Sequence, residues 1–372
     1  MIVCFTCGPE TKAQLDRLVA TGHYHDHSDV ISAAIQNLVV IHSELKDGRS
    51  IVIDRGVVAP TSDAPTTKSQ PSVLRSAVEA GIPPMFQRGP EISKPEQFAG
   101  FKPESPLTAK SSSVEHWMFG QYNRLLPAKA TCRALANISA EGGDRRSLEK
   151  IAMDIANEAA KLGSYLSAFD EKRNFGRDDA IAVAFPKSTA ASEFKSVQRF
   201  ANQFVGSANK EGQLLGLPVA LKLIGRNPDF PDSVGLTEAG WQFGMMPNPI
   251  LDALSPRNTE KFSDEEISFL LGHILTSVPV EAFAYRAILN EITCGVLTPD
   301  DLDAALSKLS GAQKKMEKSF VSTQRSGAIC RMADLGLVGR SRSGTRVSYV
   351  LPPRGKEFLR QTNAWFDASK SA

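Results

Sequence analysis

Apolar side chains recur at intervals of three and four through most of this chain, which predicts a mainly helical protein. The clearest case is residues 147–171, where Leu148, Ile151, Ala152, Ile155, Ala159 and Leu162 share one face. Residues 190–205 repeat the pattern, with Phe194, Val197, Phe200, Ala201 and Phe204 inward. Further helices are predicted over 115–125, 128–139, 264–276, 280–291, 298–309, 319–335 and 354–365. Thr298 with Asp301 three residues later is a helix-start signal. Strand patterns are short. Residues 217–224 and 233–237 flank a turn-rich tip at 227–232, and residues 336–340 and 345–351 flank a second tip at 341–344. Each hairpin follows a helix and precedes another (L-T-E-A-G-W-Q-F and L-P-P-R-G-K-E-F). Such loose self-similarity reads as a tandem of one module.

The first 45 residues follow a different plan. Residues 1–7 read as one strand, and Gly8-Pro9-Glu10 opens a helix with Pro9 at its first position. Leu15, Leu18 and Val19 give that helix an apolar face, and Gly22 ends it. Asp26 restarts a second helix, with Ile31, Ala34, Ile35, Leu38 and Val39 inward. A lone strand leaves its backbone groups unpaired, and a second copy of the chain would supply the partner by two-fold symmetry. This order, with the run Gly22-x-Tyr24-x-Asp26-His27-Ser28-Asp29-Val30-Ile31, resembles the ribbon-helix-helix family of DNA-binding repressors and antitoxins. The resemblance implies a homodimer whose paired strands enter a major groove. Val3, Phe5 and Cys7 match its inward positions, so Ile2, Cys4 and Thr6 face outward, with no basic or amide group among them. Thr6 is the polar candidate there. Ser28, at the start of the second helix, is placed to hold a phosphate on backbone N–H groups.

Near the other end, the run Ser322-Thr323-Gln324-Arg325-Ser326, then Met332-Ala333-Asp334-Leu335-Gly336-Leu337-Val338-Gly339-Arg340, then Thr345 through Gly355-Lys356-Glu357-Phe358, resembles winged helix-turn-helix modules of bacterial and archaeal regulators. The resemblance implies a recognition helix over 323–333, with Thr323, Gln324 and Arg325 at its entry into the major groove. Gln and Arg side chains pair with adenine and guanine edges. Arg340, Arg342 and Arg346 would form a basic wing on phosphates, and Lys314, Lys315 and Lys318 would face phosphates before the helix. The middle hairpin resembles the same module less closely. Its helix offers Lys195, Gln198, Arg199 and Asn202 outward, but its tip carries Asp229 and Asp232 where DNA wings are basic.

Together these patterns predict a mainly α protein with small β wings. A ribbon-helix-helix module spans 1–45 and a Pro/Ser-rich linker 46–113, followed by winged-helix-like domains at 114–255 and 256–372. A length of 372 residues accommodates such a series. No apolar run approaches the roughly 18 residues of a membrane span, and the N-terminus lacks a signal-peptide pattern. Five scattered cysteines suit reduced thiols in a cytoplasm. A net charge of +2 confines any nucleic-acid contact to local basic patches.

Cys4-x-x-Cys7 beside His23, His25 and His27 invites a zinc reading, yet residues three apart in a strand point to opposite faces. The acidic clusters Asp178-Asp179 and Asp300-Asp301-x-Asp303 fall at helix starts, where acids are favoured in any case. No phosphate-loop, dinucleotide, metalloprotease or nucleophile-elbow motif is present. The expectation is therefore a homodimer without enzymatic activity, metal or cofactor. It binds double-stranded DNA as a transcriptional regulator at the cytoplasmic nucleoid, with a protein partner held by the Pro-rich linker or middle domain. The alternative is an adaptor of a larger complex, such as a partition or defence system, that uses the same modules for protein contacts.

Overall fold

A computed structural model describes residues 9–20, 27, 30, 81–89, 101–103, 114–140, 147–173, 179–186, 193–227, 230–254, 260–309, 318–343 and 346–370. The chain divides into two units, residues 1–67 and 68–372. The expected strand at 1–7, with Thr6, and Ser28 and most of the second expected helix lie outside the described residues.

In the first unit, helix α1 spans Pro9–Ala20 and starts at the proline, whose missing N–H costs nothing there. Leu15 and Val19 are half-buried. His27 Nε2 donates to Asp16 Oδ1 at 2.7 Å, and this bond holds the Asp16 carboxyl below its ordinary range. Val30, four residues before Ala34 on the expected apolar face, is buried.

The second unit is mainly helical with small antiparallel sheets. In order come the two-residue strand β1 (Lys102–Pro103), α2 (Leu126–Ala140), α3 (Leu148–Arg173) and α4 (Glu193–Phe200), which runs on into a π turn at Ala201–Val205. The strands β2 (Ser207–Ala208) and β3 (Leu214–Leu215), the short helix α5 (Leu217–Ala220), β4 (Ile224–Asn227), β5 (Phe230–Leu236) and α6 (Glu238–Met245) follow. The last part holds α7 (Asp264–Ser277), α8 (Pro279–Thr293), α9 (Pro299–Ser307), α10 (Lys318–Asp334), the strands β6 (Gly339–Ser343) and β7 (Arg346–Val350), and α11 (Pro353–Lys370). Strands β1, β4 and β5 form one sheet in that order; β2–β3 and β6–β7 are separate pairs.

Local signals explain the well-defined helix starts. Ser263 and Glu266 close a reciprocal capping box at α7. The Thr298 hydroxyl accepts from Asp301 N–H at α9. Val278 and Pro279 break α7 from α8, which meet at 108°, and among the described residues no single helix is long and apolar enough to cross a membrane.

The structure departs from the sequence pattern in three places. Residues 217–224, read as a strand, begin as α5. Pro218 sits in the first turn, where it needs no donor, and only Ile224 onward pairs in a sheet. Residues 115–125, read as a helix, hold one 3-10 turn at Val114–His116 and then irregular chain. The irregularity brings Gly120 against α10: a Cβ there would lie 2.2 Å from the Thr323 carbonyl oxygen, and one on Gly327 would lie 2.1 Å from the Gly120 oxygen. Two backbones approach this closely only through glycine. Finally, part of the expected linker is folded. Phe86 is fully buried, and β1 pairs with β4.

The core is continuous from Phe86 to Phe358, so the stretches on either side of residue 255 share one interior. Charged groups cross between them. Lys129 Nζ lies 2.8 Å from Glu266 Oε1, both wholly buried, and also donates to the Phe243 and Met246 carbonyls. Arg331 makes a two-pronged pair with Glu281 at 2.7 and 3.1 Å, again wholly buried, and donates to the Tyr122 carbonyl. Asp334 accepts from Leu125 N–H at 3.0 Å and lies 3.1 Å from Lys261 Nζ.

Candidate nucleic-acid interface

The basic hairpin comes first because its geometry follows from its register. Arg340 pairs with Tyr349, Arg342 with Val347 and Ser343 with Arg346. Opposed residues of an antiparallel pair share a face and successive residues alternate. Arg340 and Arg342 therefore lie on one face and Arg346 on the other, beside the tip. Arg342 and Arg346 are exposed. Arg340 is half-buried, and its guanidinium donates to Cys330 Sγ at 3.0 Å. The hairpin thus offers two outward cations, one on each face, rather than a row of three.

Helix α10 places its entry residues differently from the sequence expectation. Thr323 is exposed, with its hydroxyl donating to the Ser319 carbonyl one turn back at 2.8 Å. Gln324 and Arg325 are inside, 3% and 8% exposed. Gln324 Nε2 points to the Trp117 carbonyl at 3.4 Å. Arg325 grips Asp303 with two nitrogens, at 2.6 and 3.2 Å, and donates to Tyr349 Oη at 2.8 Å and Ser322 Oγ at 3.0 Å. Burial disfavours its charge, but the Asp303 hydrogen bonds and the neighbouring Tyr349 outweigh that and raise its pKa. Neither side chain reaches a base edge from there, so the expected reading by Gln324 and Arg325 is corrected. Arg325 instead ties α10 to α9 and to β7, which fixes the hairpin relative to the helix.

The flanking lysines divide. Lys318 is exposed and lies 3.7 Å from Asp300, an open pair that screening makes weak. Lys314 and Lys315 lie outside the described residues. In the middle region, Lys195 and Arg199 are both exposed on α4, as expected. Pro228 and Asp229 of the expected tip lie outside the described residues.

Sequence reasoning missed Asp303, Tyr349 and Glu281. Asp303 looked like one more helix-start acid. Its role needs the 22-residue separation from Arg325 to close in space, and no local pattern encodes that. The useful signal was the count of polar groups on α10: Gln324, Arg325 and Arg331 cannot all face solvent on a helix that must also bury Val321, Ala328 and Met332. Comparison with protein-family models, with curated proteins and with solved structures gives no match for this chain.

Proposed function

We propose that this chain is a homodimeric protein that binds double-stranded DNA through its C-terminal part and serves in transcriptional regulation. The single observation that carries the reading is the arrangement of α8, α9, α10, β6–β7 and α11. Leu297, between α8 and α9, accepts the Tyr349 N–H at 2.8 Å and so adds an edge to the hairpin. Helix, edge, helix, helix, hairpin, helix is the order of a winged helix, and the hairpin offers Arg342 and Arg346 to phosphates on its two faces. With Gln324 and Arg325 inside, backbone contacts supply most of the affinity, and sequence preference comes from the exposed Thr323 and from DNA shape. The homodimer rests on the ribbon-helix-helix resemblance of the first 45 residues.

The test is duplex binding across a salt series, with mass measured on the same sample. A dimer whose affinity falls steeply with salt is expected. Arg342→Ala with Arg346→Ala should lower the slope of log affinity against log salt by roughly two, one phosphate per arginine, equally on all sequences. No binding at low salt refutes the reading. A second reading, an adaptor that uses the same parts for protein contacts, is favoured by the burial of Gln324 and Arg325. It predicts indifference to the arginine pair.

A further inference from the structure

Helix α4 carries a surface that duplex binding by the hairpin leaves unused. Phe194, Gln198 and Asn202 are spaced by four along one stripe, and Lys195 and Arg199 run beside them. Phe194, expected inward from the periodicity, is instead 73% exposed, the largest exposure among the described large apolar side chains. An aromatic ring so open at a helix start contributes nothing to the core. One turn on, Gln198 and Asn202 border a cavity of about 490 Å³. Leu148, Ala152 and Met153 at the start of α3 give it apolar surface, with Glu149 beside them and Arg226 of β4 also on its lining. That volume lies within the range of small-ligand sites, which pair apolar walls with a few placed polar groups.

The amides are arranged for a particular chemistry. Gln198 Nε2 donates to Asn202 Oδ1 at 3.1 Å. Among the described residues, this bond leaves the Gln198 carbonyl oxygen and the Asn202 N–H as an acceptor and a donor on adjacent turns. Exchanging O and N in both amides preserves that pattern. A donor beside an acceptor is what the edge of a nucleobase presents, with adenine the usual partner of Asn and Gln. An exposed ring one turn away offers a stacking platform, and two flanking cations suit a phosphate backbone.

We propose that this stripe and cavity bind an unstacked nucleobase, its edge on Gln198 and Asn202, a face on Phe194, and adjoining phosphate on Lys195 or Arg199. The same base chemistry is offered by a single strand or by a free nucleotide. The proposal stands on α4, the π turn that continues it and α3, and does not depend on the C-terminal hairpin.

The experiment titrates the full chain with a ten-residue oligodeoxyadenylate, an abasic strand of equal charge, and AMP. The adenine strand should bind at least ten-fold tighter than the abasic one. Gln198→Leu with Asn202→Leu should remove that preference, with thermal melting as the check on folding. Phe194→Ala, at a site too exposed to support the fold, should weaken the adenine strand by about 5- to 100-fold, as for loss of one base stack. The chain carrying Arg342→Ala and Arg346→Ala should keep the preference, which separates this site from the duplex interface. AMP bound with the same sensitivity to Gln198 and Asn202 identifies a nucleotide pocket, while binding of the strand alone identifies a single-strand groove. Equal affinity for adenine and abasic strands, or variants that bind as the parent does, overturns the proposal.

Discussion

Helices α4 and α10 carry similar polar residues and use them in opposite ways. Each precedes a β-hairpin and each was read from sequence as the groove-entering helix of its half. On α4, Lys195 and Arg199 stand in solvent, and Gln198 borders a cavity. On α10, Gln324, Arg325 and Arg331 are all buried, the last completely. The difference lies in what each helix packs against. Helix α4 lays Val197 and Phe200 on α3 and the core and leaves its other side open. Helix α10 is covered on one side by the chain around Trp117–Gly120, on another by Glu281 of α8, and on a third by Asp303 of α9. A charged side chain is thus a surface group or an internal tie according to the acids and carbonyls folded against it.

The largest break of this contrast is Arg331→Ala. It strands a fully buried Glu281 carboxylate, and urea unfolding should show a loss of about 3–5 kcal/mol. Arg331→Met with Glu281→Leu should recover most of it; failure to recover would mean that the Tyr122 carbonyl contact, rather than the ion pair, is what the helix needs. Next in size is Gly327→Ala. The added methyl meets the Gly120 backbone, which has no side chain to move aside, so the expected cost is roughly 1–3 kcal/mol. A neutral result would show that residues 117–120 lift away from α10.

A pH series sharpens the same point at Lys129. Burial pulls its pKa down to about 8, against the opposing pull of Glu266. An unfolded lysine titrates near roughly 10.4. Between those values the unfolded chain holds the extra proton, so stability should rise with pH from about 8 to about 10. Lys129→Met with Glu266→Gln should flatten that rise, and a curve of unchanged slope would argue against a depressed lysine. The smallest effect is expected on α4, where Lys195→Ala or Arg199→Ala should shift thermal stability by less than about 0.5 kcal/mol. A larger loss would place those residues in the packing and remove the contrast with α10.

Much of the helical framework was legible. The residues 147–171, 264–276 and 298–309 read from periodicity match α3, α7 and α9 closely, because a stripe of apolar residues and a capping Ser or Thr act within a few residues. The C-terminal hairpin was found from its turn residues, and of the middle one only the return strand was. The reading failed at 115–125 and 217–224, where apolar content was right but the conformation depended on Gly120 meeting α10 and on Pro218 after Gly216. The candidate interface was half legible. Exposed Arg342, Arg346, Lys195 and Arg199 were named correctly as surface cations, and Gln324 and Arg325 were placed on the wrong side.

The sequence by itself determined most of the helical segments, where most of them start, and where the C-terminal hairpin turns back. These depend on backbone preference and on side chains three or four apart. Only the tertiary structure decided which polar residues became buried ties. Arg325 finds Asp303 across 22 residues, Arg331 finds Glu281 across 50, and Leu125 finds Asp334 across 209. A guanidinium or carboxylate is stable inside only when such a partner arrives, and its arrival is a property of the assembled fold rather than of any local stretch.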